Sequence, residues 1–459
     1  MRFLAFIACL PALLGAAEPL ALPEVLDSVR NRYPPMLIAL IEQDVAAGRL
    51  RQAEGAFDLG FALRAGIAPK GYYDGSSGDV SLDQRLPFWG GNVFAGYRRS
   101  SGLLADYDKE RTQRDGEFRA GLRFNLLRDG PIDRQRAELQ KARLDLDLAD
   151  PFIQRQKLDI VRAATRSYYQ WVAAGLREAI ARDQLKVAED RAAALTEQAR
   201  KGMVAPIVVT DNERLIVSRQ LTVTQARRRF EAASLELSLF YRGPDDQPIA
   251  PARERLPAAL PAAELPARLG DVSLLESVAE LRPELRRVRL LKSKVEIDLR
   301  LARNATLPNL DLTLGVTRNQ GGGPYKDLER DEARAGLEFR IPLQRNEALG
   351  RSQVSEAELR RLEQDLYFVR DRIRVEIKDG WSALAAASEL LGVARRNVEL
   401  SEQLVKAEQT RFRQGATDLL ALQIREQALL EAQFAVVSSQ ADFFASLADY
   451  RAATAEELR

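Results

Sequence analysis

Side chains that commonly do chemistry are scarce in this sequence, and that bounds what the protein does. Among 459 residues there are no histidines, one cysteine and three methionines. With Cys9 set aside, the chain has no imidazole base, thiol nucleophile, disulfide or usual zinc ligand set, and three methionines make no Met-rich copper path. Carboxylates remain, but without a nucleophile elbow, a phosphate-binding Gly-rich loop or a dinucleotide fingerprint. No catalytic residue, metal site or cofactor is assigned, and no enzyme is expected. The 68 Lys and Arg against 66 Asp and Glu leave a net charge of +2, which gives no electrostatic case for nucleic acid as a partner. Two arginines do stand out, Arg119 in RAGLRF at 119–124 and Arg334 in RAGLEF at 334–339. In an extended strand each lies opposite the apolar residues, so their chemistry is to line a wet surface.

The flanks show that the hexapeptides belong to a larger repeat. Pro34 of NRYPPMLIAL matches Pro283 of ELRPELRRV at an offset of 249, and Ala53 matches Ala302 at the same offset. Further on, Phe124 matches Phe339 at 215, Trp171 matches Trp381 at 210, and Gly202 matches Gly415 at 213. The order is kept, so one helix–strand–helix unit is used twice. The fall from 249 to 215 places 34 extra residues in the first copy, between about 69 and 117. Within them, 79–100 alternates across Pro87-Phe88-Trp89-Gly90-Gly91 and reads as an inserted hairpin, with Trp89 at a membrane interface. The first repeat is expected over 18–242, with a helix of roughly 23–55, strands 57–68 and 117–127, a long helix 132–201 and a half helix 207–241. A Pro-rich linker follows at 243–270, its six prolines ending helices repeatedly. The second repeat, 271–459, is expected to hold a helix 272–304, strands 309–317 and 333–342, a long helix 349–413 and a half helix 418–451.

The long helices are expected to bury a narrow seam: Leu139, Ala142, Leu146, Ala149, Ile153, Ile160, Ala163 and Ser167 step by threes, fours and sevens. A rod-like coiled-coil scaffold explains that seam equally well. Pro151, after Asp150, either restarts a helix or kinks a continuous one, so a local bend is expected there. At the N-terminus, Arg2 precedes an apolar run from Phe3 to Ala17, and Gly15-Ala16-Ala17 resembles a small-residue cleavage site. Residues 1–17 read as a cleaved secretory signal. Cys9 lies inside the apolar run rather than after it, which argues against lipidation.

The strands set the compartment. Phe57, Leu59, Phe61, Leu63, Ala65 and Ile67 alternate with Asp58, Gly60, Ala62, Arg64 and Gly66; Leu310, Leu312, Leu314 and Val316 alternate with Asn309, Asp311, Thr313 and Gly315. A soluble sandwich shows the same period of two. Two features favour a membrane: the strands have about the 9–11 residues that cross a bilayer, and nothing else after residue 17 could cross one as a helix. In lipid an open sheet must close, and four strands are fewer than the ~8 of a minimal barrel, so several copies must share one barrel. If the inserted hairpin also enters the membrane, each chain supplies six strands and a trimer eighteen; otherwise four and twelve.

With these elements in hand, the chain resembles the TolC family of outer-membrane efflux proteins. RFRQGATDLLALQIREQALLEAQ at 411–433 is similar to the family's second helical-hairpin tip, and ARKGMVAPIVVTDNERL at 199–215 to the first. RYPPM and LRPEL resemble the opening of each repeat, and LPNLDLTLG at 307–315 the strand entry. The resemblance implies an α+β membrane protein: a homotrimeric outer-membrane β-barrel continued by a long α-helical coiled-coil barrel in the periplasm of a Gram-negative bacterium. It implies a channel that passively exports small molecules, with a periplasmic adaptor and an inner-membrane pump of RND or ABC type as partners. Type I protein secretion through a similar duct is the alternative within transport, and a periplasmic coiled-coil scaffold or adaptor the alternative outside it. Residue by residue, Gly202, Met203, Val204, Gly415 and Ala416 match the turns where adaptor hairpins dock. Leu420 matches an apolar constriction, although seam packing is an equal reading. Phe412 replaces a tip tyrosine, and Ile424 replaces the aspartate of an acidic entrance, leaving Asp211 and Asp418 to supply negative charge there.

Overall fold

The computed structural model describes residues 18–105, 110–267, 273–323 and 325–456. The expected signal 1–17, with Cys9, lies outside them. The described residues fall into two compact units, one within Met1–Leu40, Gln154–Arg282 and Asp371–Arg459, the other within Ile41–Ile153 and Pro283–Arg370.

Each half of the chain opens on a broken helix. Helices α1 (Leu22–Arg32) and α2 (Pro34–Glu54) are separated at Tyr33, whose extended backbone (φ −79°, ψ 116°) is what a following proline imposes. The single helix expected over 272–304 is likewise two, α5 (Ser273–Leu281) and α6 (Pro283–Asn304), broken at Arg282. Proline has no N–H to donate and clashes with the preceding turn, but it suits the first position of a new helix. In contrast, Pro151 stands inside one continuous helix, α3 (Arg134–Arg200), so the helix does not restart there. The remaining helices are α4 (Ile207–Ser238), α7 (Asn346–Arg413) and α8 (Leu419–Ala453). No helix among the described residues is long and apolar enough to cross a membrane.

In the first unit the core gathers on α3. Trp171 is fully buried and its indole N–H donates to Ser234 Oγ at 3.0 Å, while Tyr169 stacks on Phe444 with ring centroids 4.2 Å apart. Of the expected seam, Leu139, Ala142, Ala149, Ile160 and Ser167 are buried, but Ala163 is exposed and Ala164 is buried in its place. A straight helix turns every 3.6 residues, so a strict 3.5-residue seam drifts off its stripe within a few turns. The Pro-rich segment packs rather than tethers: Leu260 is buried in this core, Arg253 pairs with the buried Glu178 at 2.6 Å, and Arg255 pairs with Glu24 at 2.7 Å.

The second unit holds one antiparallel sheet of six strands in chain order: β1 (Leu59–Ala68), β2 (Asp74–Arg85), β3 (Asn92–Leu103), β4 (Glu117–Asn125), β5 (Asn309–Asn319) and β6 (Glu332–Arg340). The inserted hairpin, β2 and β3, is therefore part of the sheet, between β1 and β4. β4 pairs with β5, so strands from the two halves of the chain join directly. Among the described residues, β1 and β6 each have one open edge.

Candidate functional site: the two sheet faces and the glycine turns

Register sorts the sheet into two chemically distinct faces. Phe61, Leu82, Ala95, Ala120, Val316 and Ala333 form one cross-strand row, and Ala62, Ser81, Gly96, Arg119, Thr317 and Glu332 the next, facing the opposite way. The apolar face is not covered by the chain's own core: Phe61 is 67% and Leu337 66% exposed. On the other face charges cluster. Asp79 lies 3.8 Å from Arg64 and 3.6 Å from Arg98 and also pairs with Arg119, while Glu117 sits 3.9 Å from Arg98. Arg334 holds Glu332 at 2.5 Å. Both arginines of the repeated hexapeptide thus stand on the charged face.

The two expected tip turns share one geometry. Gly202 ends α3 with φ +69° and Gly415 ends α7 with φ +71°, the left-handed conformation glycine adopts without penalty. In each, the next residue reaches back: Met203 N–H to Gln198 C=O and Ala416 N–H to Arg411 C=O, both 2.9 Å, closing a Schellman-type cap. A Cβ at either glycine would meet nothing within 4 Å, so backbone conformation, not crowding, calls for glycine. Met203 is largely exposed and Val204 half-buried.

Beyond the second turn, Leu420 and Ile424 are each 58% exposed, one helical turn apart on α8, whereas Leu419 and Leu422 make the buried contacts. Seam packing within the chain therefore belongs to Leu419 and Leu422. Phe412 is half-buried. Asp418 is the N-cap of α8, its carboxylate accepting the Ala421 N–H at 2.8 Å, and Asp211 lies exposed in the first turns of α4.

A further polar cluster lies between α3, α4 and α8. Arg191 pairs with Glu426, Arg219 donates to Gln427 Oε1 at 2.7 Å, and Asn212 donates to the Ala188 carbonyl at 3.1 Å. Arg219, Glu426 and Asn212 are all buried, and burial pushes the Arg219 pKa down against the pull of Glu426 and Glu431. Arg219 Nη2 and Gln423 Nε2 have no hydrogen-bond partner, and a buried polar group left so costs about 1–3 kcal/mol. Sequence reasoning missed this cluster. Its signal is spacing: Arg219 occupies the buried stripe Leu215, Arg219, Ala226, Phe230, and Glu426 that of Leu419, Leu422, Glu426, Leu429.

No protein-family model matches the chain. No curated protein matches it either. Solved structures do match. The outer-membrane protein VceC from Vibrio cholerae has a TM-score of 0.69 at 17% identity, over 95% of this chain and 96% of its own. The open state of the MtrE outer-membrane channel of Neisseria gonorrhoeae also scores 0.69 at 17% identity, over 95% and 88%. The chain has the fold of outer-membrane channel proteins. The CmeC outer-membrane channel of Campylobacter jejuni matches similarly, with a TM-score of 0.68 at 14% identity over 95% and 85% of the two chains.

Proposed function

We propose that the protein is an outer-membrane channel of the TolC type, a passive export conduit for small molecules rather than an enzyme. Three copies pool their sheets into one closed barrel, with β1 of one chain pairing with β6 of the next. The apolar faces meet lipid and the charged faces line the lumen, while helices of the three copies enclose a periplasmic tunnel. One observation carries this reading: a sheet with an exposed oily face, a charged opposite face and open edges at β1 and β6. In lipid each open N–H and C=O costs several kcal/mol, so edges are tolerated only where another chain closes them.

The turns at Gly202–Val204 and Gly415–Ala416 are the proposed docking points of a periplasmic adaptor, which couples the channel to an inner-membrane pump that supplies the energy. Leu420, with Ile424 one turn on and Phe412 nearby, is the proposed apolar constriction, since apolar side chains around a narrow axis expel water. Asp211 and Asp418 supply negative charge near it. The test is extraction and crosslinking. The protein requires detergent for release from membranes, runs as a heat-modifiable trimer on unboiled gels, and is captured by an adaptor through a photocrosslinker at Met203 or Ala416. Release as a monomer in wash buffer overturns the reading.

A further inference from the structure

The hairpin β2–β3 has no counterpart in the second half of the chain, where among the described residues only a short 3-10 turn (Lys326–Leu328) stands between β5 and β6. We propose that β2 and β3 cross the membrane as full staves, so that each chain contributes six and a three-chain barrel eighteen, with a bore correspondingly wide. The inference rests on the trimeric-channel reading above and adds to it the size of the passage.

Three observations support it. The hairpin pairs along all of β1 and most of β4: β2 with β1 from Leu59↔Gln84 to Ala68↔Gly75, and β3 with β4 from Asn92↔Arg123 to Arg98↔Glu117. A flap standing outside the bilayer would not share that register. Second, its faces continue those of the sheet. Val80, Leu82, Val93, Ala95 and Tyr97 lie on the apolar face, flanked by Gln84 and Arg99, and Asp79, Ser81, Asp83, Asn92 and Arg98 lie with Phe94 on the charged one. A groove of about 660 Å³ runs along this apolar surface from Val80 and Leu82 through Ala95 and Ala120 to Val316, without a break at the hairpin.

Third, the apolar runs fall on one slanted line. Their midpoints are Leu63, Ser81, Ala95, Gly121, Thr313 and Gly336, which project through the register onto β4 at Phe118, Arg119, Ala120, Gly121, Arg123 and Arg123. The band therefore drifts about one residue per strand. With a rise of ~3.3 Å and a strand spacing of ~4.8 Å, that drift corresponds to strands tilted about 35° from the normal of a level membrane, the tilt of membrane barrels. Strands β2 and β3 lie on this line between β1 and β4, as the lipid band of an unbroken barrel wall demands.

Barrel diameter grows roughly linearly with strand number, so eighteen staves give a bore about 1.5 times that of twelve, in the range that leaves an open aqueous channel. The barrel then admits bulkier cargo than a twelve-stave wall, and the limit on cargo size moves to the helical tips.

Single cysteines in a Cys9→Ala background, spin-labelled in proteoliposomes, test this. Labels at Leu82→Cys and Ala95→Cys should favour oxygen over a water-soluble nickel chelate, as should Phe61→Cys and Leu337→Cys; labels at Ser81→Cys and Asn92→Cys should show the reverse. If all four hairpin labels favour the chelate while 61 and 337 remain in lipid, the stave proposal is overturned and the channel reading survives. If 61 and 337 also favour the chelate, both fail. Electron cryo-microscopy of the unaltered protein gives a second readout: eighteen staves in the barrel wall support the proposal, and twelve overturn it.

Discussion

Tyr168 shows how much one buried group contributes. Its hydroxyl donates to the Leu20 carbonyl at 2.8 Å, and burial, with a smaller effect from Tyr169, pushes its pKa up to about 12. An acid whose folded pKa lies above its unfolded value of about 10 stabilises the fold fully below that value, and the contribution is lost as pH rises from about 10 towards 12. The helical signal of the wild type should therefore lose thermal stability across that window. Tyr168→Phe should lose less there, and about 1 kcal/mol at neutral pH from the missing hydrogen bond. An unchanged alkaline loss in the variant would count against the assignment. Trp171 offers a second test at this scale. Fully enclosed, it should cost about 3–5 kcal/mol on truncation to alanine, read by denaturant unfolding. Its repeat partner Trp381 is 40% exposed, so matching positions in the two repeats acquired different surroundings. The sequence match of the two tryptophans carried no information about which one is enclosed.

Among the elements, the glycine turns and the strand alternation were legible because each is local: a glycine just past a helical pattern and a period of two need no distant partner. The role of Asp418 was not. Beside the acidic entrance proposed for it, the carboxylate caps α8 by accepting the Ala421 N–H, a contact that the sequence reading did not name. The two roles separate by mutation. Asp418→Ala should lose about 1 kcal/mol of stability with its cap, while Asp418→Asn should keep it. If cation preference in planar-bilayer recordings falls equally in both variants, the charge acts at the entrance as well as the cap. The helix breaks at Tyr33 and Arg282 were also legible in principle, since a proline follows each and disfavours the helical conformation of the residue before it.

For the whole molecule, assembly depends on which face of each strand meets lipid. Phe61→Arg sets a charge on the apolar face, where it should cost about 2–4 kcal/mol near the bilayer midplane, and the heat-modifiable trimer should be lost. Ala62→Arg, one residue on and facing the charged side, should leave that trimer intact. Equal behaviour of the two variants would refute the assignment of faces.

Several things followed from the sequence alone. The absence of histidine and the near-absence of cysteine excluded most catalytic chemistry, and alternation set the faces, because composition and period are properties of the chain itself. Only tertiary structure decided that the inserted hairpin pairs between β1 and β4, that Ala164 rather than Ala163 is buried, and that Arg219 and Glu426 are enclosed. Those outcomes depend on which strand supplies the open backbone groups and which helix covers a given stripe, and pairings between residues far apart in sequence leave no local pattern to read.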